Sequence, residues 1–277
     1  MKNELVKPIL KWLGGKRQLV PDILPLIPKN CSKYIEPFLG GGAILFGLQP
    51  KCAIVNDLSE ELMNVYITIK DEPEELISLL KTHEINHSEE YYYQIRSLDR
   101  SIEYINLTKL QRAARIIYLN KTCYNGLFRV NSAGEFNSPY GRYKNPNIVN
   151  ESTIRAISQY FNNNEIEIFN EDYSGILERV EKEHFIYLDP PYMPISASAS
   201  FTRYTKNGFS YEKQVELRDI CNKLRNKGVA FIESNSDCPE IRELYKDYPI
   251  KTVRVKRYIN CNAEKRGAVN EVLICNV

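Results

Sequence analysis

Short apolar runs alternate with longer segments of helical spacing along this 277-residue chain. Cys31 to Glu36, Ala53 to Asp57, Glu165 to Phe169, His184 to Leu188 and Val229 to Glu233 are compact and rich in β-branched and aromatic residues, so they read as buried strands. Ser59 to Lys70, Glu74 to Lys81, Ser88 to Leu98, Ser152 to Phe161, Tyr173 to Val180 and Tyr211 to Asn226 carry helical spacing, the last stopped by Gly228. Thr108-Lys109-Leu110-Gln111 is a capping box that opens a helix running to about Asn120. Leu19, Ile23 and Leu26 place a further helix near the start, despite Pro21 and Pro25. Ile250 to Ile259 and Ala268 to Val277 read as a closing antiparallel pair. The alternation predicts an α/β fold.

The strand from His184 ends on Asp189, because Pro190 and Pro191 cannot donate to a ladder and each fixes φ. Ligands of open α/β sheets bind beyond the carboxyl ends of the strands. An acid, a proline carbonyl and the ring of Tyr192 are therefore expected together where a planar group carrying an NH2 could dock. An amino group on a heteroaromatic ring is a poor nucleophile, since its lone pair is delocalised. If Asp189 and the Pro190 carbonyl each accept one amino hydrogen, the nitrogen is drawn toward tetrahedral geometry and its lone pair turns to an electrophile on the other side. Tyr192 would hold the ring by stacking, a contribution of about 1 to 3 kcal/mol. Met193 to Asn207, rich in Ser, Ala and Thr and without period, is expected to close over the site.

Upstream, Pro37-Phe38-Leu39-Gly40-Gly41-Gly42 joins a strand to a helix, where glycines let the backbone approach a ligand. Asp57 ends the next strand 17 residues after Gly40, near the ~20-residue offset at which an acid meets ribose hydroxyls. This half is expected to bind a nucleoside-like cofactor. Tyr124 to Tyr143 mixes aromatics, Asn, Gly and Arg with neither period, which reads as a recognition loop or hairpin. Arginine suits bidentate contact with guanine, asparagine suits adenine, and aromatics wedge between bases.

A formal net charge of +2 conceals segregation. Lys109, Arg112, Arg115, Lys121, Arg129, Arg142 and Lys144 stand against Glu135 alone, and Lys251 to Arg266 is also basic. Such patches suit a polyanion. Seven cysteines without a C-x-x-C pair argue against a disulfide framework and a structural zinc site. No apolar run approaches the ~20 residues of a membrane span and no signal-peptide core follows Met1, so the chain reads as cytoplasmic. His83-Glu84-Ile85-Asn86-His87 fits the zinc-peptidase pattern H-E-x-x-H, but of three histidines only His184 remains, at the start of a buried strand.

Several blocks occur in one order: Lys11-Trp12-x-Gly14-Gly15-Lys16, Glu36-Pro37-Phe38-x-Gly40-x-Gly42, Asp57, Tyr124-Asn125-Gly126-Leu127-x-Arg129, Gly134-Glu135-Phe136-Asn137-x-Pro139-Tyr140-Gly141-Arg142-Tyr143, Asp189-Pro190-Pro191-Tyr192, and late Arg266 with Glu271. Over nearly its whole length the chain resembles the adenine-specific DNA methyltransferases of the Dam and DpnM type, the alpha group of the D12 class. The resemblance implies a Rossmann-like α/β methyltransferase sheet (residues 1–57 and 165–277) with an inserted, mainly helical target-recognition domain and hairpin (58–164). It implies transfer of the methyl group of S-adenosyl-L-methionine to a flipped-out adenine in double-stranded DNA, within GATC, releasing S-adenosyl-L-homocysteine. Trp12, Lys16, Phe38, Gly40, Asp57, Asp172, Tyr173 and Asp189 match cofactor-contacting positions. Lys11, Leu127, Arg129, Pro139 and Tyr143 match base-reading positions, Tyr124 and Asn125 match positions that invade the opened duplex, and Arg142 matches a phosphate contact. Phe128, Val130 and Lys121-Thr122-Cys123 depart from the best-known Dam pattern and bear on the outer base pairs. A cognate restriction endonuclease acting on the same site, without a stable complex, is an implied partner. The rival readings are an RNA adenine methyltransferase and a catalytically inactive DNA-binding protein.

Overall fold

His184–Leu188 has almost nothing to offer water, and the fold puts it where water is absent: Phe185, Ile186, Tyr187 and Leu188 are fully buried. Burying each such side chain contributes about 1.5 to 3 kcal/mol. The computed structural model describes residues 2–194, 209–256 and 268–276. Its strands are β1 (Lys33–Glu36), β2 (Cys52–Asn56), β3 (Glu165–Phe169), β4 (His184–Leu188), β5 (Ala230–Ser236), β6 (Ile250–Lys256) and β7 (Ala268–Cys275), in a sheet of order β3-β2-β1-β4-β5-β7-β6. β1 pairs in parallel with β2 and β4, and β4 with β5, the register placing Ile186 opposite both Ile35 and Phe231. Parallel strands covered on both faces read as continuous apolar runs. β7 returns antiparallel to β5 and β6, as the closing pair predicts.

The helices are α1 (Val20–Ile23), α2 (Ala43–Leu48), α3 (Glu60–Asp71), α4 (Pro73–Ile85), α5 (Glu89–Ser97), α6 (Lys109–Thr122), α7 (Glu151–Asn162), α8 (Tyr173–Glu178), α9 (Tyr211–Asn226) and α10 (Pro239–Leu244). The capping box of α6 is formed in both directions, Gln111 N–H to Thr108 Oγ1 at 3.2 Å and Thr108 N–H to Gln111 Oε1 at 2.9 Å. The first predicted helix is corrected: Pro25 ends α1 after one turn, and a 3₁₀ turn, Leu24–Leu26, follows. α10 has no counterpart in the sequence reading, since its six residues are too few to show a period. No helix among the described residues is long and apolar enough to cross a membrane.

The chain divides into two compact units, residues 1–15, 40–51 and 57–170, and residues 16–39, 52–56 and 171–277. The first holds the whole expected recognition segment, 58–164. Its core is α6, whose Ala113, Ala114, Ile117, Tyr118 and Leu119 are fully buried. The second unit holds β1, β4 and β5 with the carboxyl ends that carry the predicted chemistry. Most of the stretch expected to close over the site, 195–207 of 193–207, lies outside the described residues, as do Arg257, Lys265 and Arg266 of the late basic patch.

Candidate active site

Asp189 stands one residue beyond β4, as the two prolines require. Its Oδ1 takes Lys16 Nζ at 2.8 Å and the Ser234 hydroxyl at 3.0 Å. Ser234 belongs to β5 and its Oγ also lies 2.9 Å from the Tyr187 hydroxyl. Burial raises the pKa of Asp189 above the ordinary carboxylate range, against the pull of Lys16 and Ser234. Among the described residues Oδ2 and the Pro190 carbonyl receive no hydrogen bond. Two acceptors thus remain side by side in the sequence for an NH2 group. Tyr192 donates its hydroxyl to Glu271 at 2.9 Å, while Lys16 Nζ sits 4.5 Å over its ring. That is a cation–π contact, and it covers one face of the ring expected to stack on a base.

The same unit holds five of the cofactor-matching residues, Asp189 among them. Lys16, buried, is engaged by Asp189 as described. Phe38 packs on Tyr173 with ring centroids 5.0 Å apart, and Phe209 closes on both. The Tyr173 hydroxyl is buried and has no hydrogen-bond partner among the described residues, an unusual state for a phenol. Asp172 caps α8, accepting from Ser174 N–H at 2.9 Å and Ser174 Oγ at 2.6 Å, and these bonds hold its pKa below the usual range. Asn56, absent from the sequence reading, ties the strand ends together: its amide donates to Pro37 O and Glu171 O and accepts from Glu171 N–H.

In the other unit Gly40 adopts φ +50°, and its N–H bonds Asp57 Oδ2 at 2.8 Å. A Cβ on Gly40 would stand 3.2 Å from Trp12 Cδ1, so glycine is what the approach of that indole allows. Asp57 also accepts from Ser59 N–H, which makes it the clamp of the glycine turn.

This unit also carries every residue matched to DNA. Asn120 on α6 clamps the backbone of Lys11 in both directions at 2.9 Å and bonds Gly126 O. The predicted hairpin is present: Val130 and Phe136 pair antiparallel, Asn137 N–H bonds Arg129 O, and Asn131 takes up the turn with Glu135. Exposed Arg129 is braced by Asn137, Nε to Oδ1 at 2.7 Å. Tyr124 N–H bonds Pro139 O, and the Ser138 hydroxyl bonds Leu127 O, so both arms are sewn together. Tyr124 and Tyr143 are exposed, and Asn125 (φ 57°) and Arg142 (φ 51°) are left-handed, an uncommon state outside glycine. Among the described residues Arg142 meets only Glu89, in a 3.7 Å ion pair. The basic patch is smaller than the sequence implies: Arg112 pairs with Glu60 and Glu61, Arg115 is buried against Asp99, and Lys121 bonds Ile9 O. Spacing alone cannot tell a solvated arginine from one spent on an internal carboxylate.

Residues 12–259 match the family D12 class N6 adenine-specific DNA methyltransferase. The chain belongs to this family. Among curated relatives, the Type II methyltransferase M1.LlaDCHI of Lactococcus lactis subsp. cremoris is 45% identical over 276 residues, covering 99% of this chain and 97% of that protein. M.MjaIII of Methanocaldococcus jannaschii, also a Type II methyltransferase, is 41% identical over 98% of this chain and 99% of that protein. The DNA adenine methylase of Escherichia coli K12 is 33% identical over 96% of this chain and 94% of that protein.

This D12-class methyltransferase is therefore an adenine-specific DNA-modifying enzyme, and the peptidase pattern has another use. α4 ends at Ile85, so His83 and His87 do not share a helix face. His83 Nδ1 lies 2.7 Å from the Tyr91 hydroxyl, and His87 Nδ1 lies 2.9 Å from that of Tyr118. Among the described residues no three metal-ligating side chains gather. What the sequence reading missed in the methyltransferase is the tail of β5. It ends the strand at Glu233, whereas the ladder continues through Ser234, Asn235 and Ser236, all buried. Five polar residues in a row after an apolar run, Glu233 to Asp237, were the available signal.

Proposed function

We propose that this enzyme transfers the methyl group of S-adenosyl-L-methionine to the N6 nitrogen of an adenine swung out of duplex DNA, within GATC, and that Asp189, Pro190 and Tyr192 act on the reacting amine. The observation that carries the reading is Asp189 itself: one carboxylate oxygen is pinned by Lys16 and Ser234 while the other, with the Pro190 carbonyl, takes no donor among the described residues. Each acceptor withdraws one amino hydrogen from the ring plane, which localises the lone pair for attack. Transfer leaves a positive charge on the nitrogen, which must shed a proton. Asp189, less acidic than an exposed carboxylate because of its burial, is the base in place. Tyr192 then fixes the ring of the base, its own hydroxyl held by Glu271.

Trp12, Lys16, Phe38, Gly40, Asp57, Asp172 and Tyr173 are the residues that would hold the methyl donor. The residues present fit such a group: the orphaned Tyr173 hydroxyl beside the Phe38 ring offers a polar tip and a flat apolar face to a nucleoside. When bound, S-adenosyl-L-methionine supplies a methyl group activated by its sulfonium, and S-adenosyl-L-homocysteine is released. GATC rests on Lys11, Leu127, Arg129, Pro139 and Tyr143 matching base-reading positions of the Dam type, with Tyr124 and Asn125 filling the opened duplex and Arg142 on a phosphate. Two relatives are Type II methyltransferases, and a nuclease that cuts the same site without a stable complex is the partner proposed here.

The test is tritiated methyl transfer to duplex DNA by wild type and Asp189→Ala. Loss of transfer with duplex binding intact is expected; a variant that still methylates would overturn the assignment. Methylation-sensitive sequencing of DNA from expressing cells reads the target, and modification outside GATC would displace that part.

A further inference from the structure

The segment that follows Asp189 has little of its own to hold it. Pro190 and Pro191 carry no N–H, so between Asp189 and Met193 only Tyr192 and Met193 can donate from the backbone after the acid. Buried side chains from two elements take up the slack. Gln214, on α9, donates Nε2 to Pro191 O at 2.9 Å. Asn235, on β5, accepts Met193 N–H at its Oδ1 at 3.2 Å. Ser236 donates its hydroxyl to Met193 O at 2.6 Å. These groups also orient one another: Asn235 Nδ2 bonds Gln214 Oε1 at 3.0 Å and Glu233 Oε1 at 3.1 Å. Because Glu233 Oε1 takes one Asn235 amide hydrogen, Asn235 Oδ1 must face Met193. Because Asn235 gives its other hydrogen to Gln214 Oε1, Gln214 must present Nε2 to Pro191. Gln214, Glu233 and Asn235 are fully buried and Ser236 nearly so. Placing so many polar groups out of water costs free energy unless every one is bonded, and nothing in the sheet ladder asks for it.

We infer that Gln214, oriented through Asn235 and Glu233, is a positioning residue for methyl transfer: with Ser236 it pins residues 191–193 so that the Pro190 carbonyl and the Tyr192 ring stay at the reacting amine. This rests on the reading of Asp189-Pro190-Pro191-Tyr192 as the reacting segment. Gln214 touches neither base nor donor and acts through Pro191.

The experiment is single-turnover methyl transfer by full-length Gln214→Met, with duplex DNA and S-adenosyl-L-methionine saturating, beside dissociation constants for both and the thermal midpoint. Misplacing catalytic groups by about an ångström costs up to about 100-fold, so a rate lowered about 10- to 100-fold is expected, with both dissociation constants within about threefold of wild type. A wild-type rate, or a rate that falls only as far as binding falls, overturns the inference. If Gln214→Met does not fold, Ser236→Ala, which removes a single hydroxyl at the other end of the pinned segment, is read in the same assay. A fall of about three- to tenfold is expected there, by the same positional argument, and an unchanged rate overturns the inference. Asp189→Ala separates the two levels. Transfer by that variant refutes the underlying reading, whereas a dead Asp189→Ala beside a fully active Gln214→Met refutes only the positioning role.

Discussion

Replacing Lys16 by methionine removes the cation from Asp189 and keeps an unbranched apolar stem. At 2.8 Å two unit charges attract by about 6 kcal/mol at an effective dielectric near 20. Desolvation of both ions opposes that gain, and breaking a buried pair by deleting one partner costs about 3 to 5 kcal/mol because a lone charge stays behind. The two side chains are 9% and 19% exposed, so the lower end, about 3 kcal/mol at pH 8, is expected. The sign with pH follows from Asp189. Burial already raises its pKa, and Lys16 is the larger of the two opposing influences, so the variant raises it further. An acid whose folded pKa is raised keeps a proton that the unfolded chain has lost. Stability then falls as pH climbs from the ordinary carboxylate range to the folded value. In Lys16→Met that window extends upward, so the gap to wild type is smaller at pH 5 than at pH 8. Urea unfolding at both pH values measures it. Single-turnover transfer at saturating donor supplies the second reading, since the rising limb of the pH profile moves to higher pH when the carboxylate ionises later. A stability gap independent of pH, together with an unmoved limb, would refute the account of the pair.

Gly42→Ala should destabilise the enzyme by about 2 kcal/mol, since left-handed backbone in a non-glycine residue is strained. Gly42 has φ +68° and its new Cβ would stand 2.8 Å from a Phe46 ring that is itself buried; an unchanged urea midpoint contradicts this. His83, driven by burial to a pKa of about 4 from 6.5, holds stability above the unfolded value that is lost as pH falls from 6.5 toward 4. His83→Phe should therefore lose less stability between pH 7.5 and pH 5 than wild type in urea unfolding, and parallel pH curves count against the assignment. Arg129→Ala should cost about 1 to 3 kcal/mol of discrimination at one base pair, because its guanidinium is pre-set by Asn137. Binding weakened on all duplexes alike points instead to a phosphate contact.

Most strands and the long helices were legible because burial on both faces or on one stripe leaves a period in the chain. β4 is the plain instance: after His184 the buried parallel strand is an unbroken apolar and aromatic run, and the acid that follows its end, Asp189, announces itself. Where the reading was incomplete, a local signal competed with a tertiary one. Pro25 ends α1 although Leu19 and Ile23 keep the spacing of a longer helix. Arg112, Arg115 and Lys121 look identical to Arg129 in the sequence, yet Glu60, Glu61, Asp99 and Ile9 O claim the first three from far along the chain. The peptidase pattern is the converse: H-E-x-x-H needs an unbroken helical turn, and α4 ends inside it.

The tail of β5 shows how a site is marked by what it costs the fold. Glu233, Ser234 and Asn235 have no exposed surface, and burial lifts the Glu233 pKa to about 7. A buried polar group left unbonded costs about 1 to 3 kcal/mol, so a chain selected for stability alone would place apolar residues there. In this chain each of the three has partners, and apart from the Cys221 thiol at Glu233 and the Tyr187 hydroxyl at Ser234 those partners lead one way. Ser234 leads to Asp189, while Asn235 leads to Gln214 and Met193. Glu233 holds Asn235 in register. Polar residues that end a buried strand and converge by hydrogen bonds on one adjacent segment therefore identify that segment as the part whose geometry is under constraint, and they do so without the Asp-Pro-Pro-Tyr pattern being consulted.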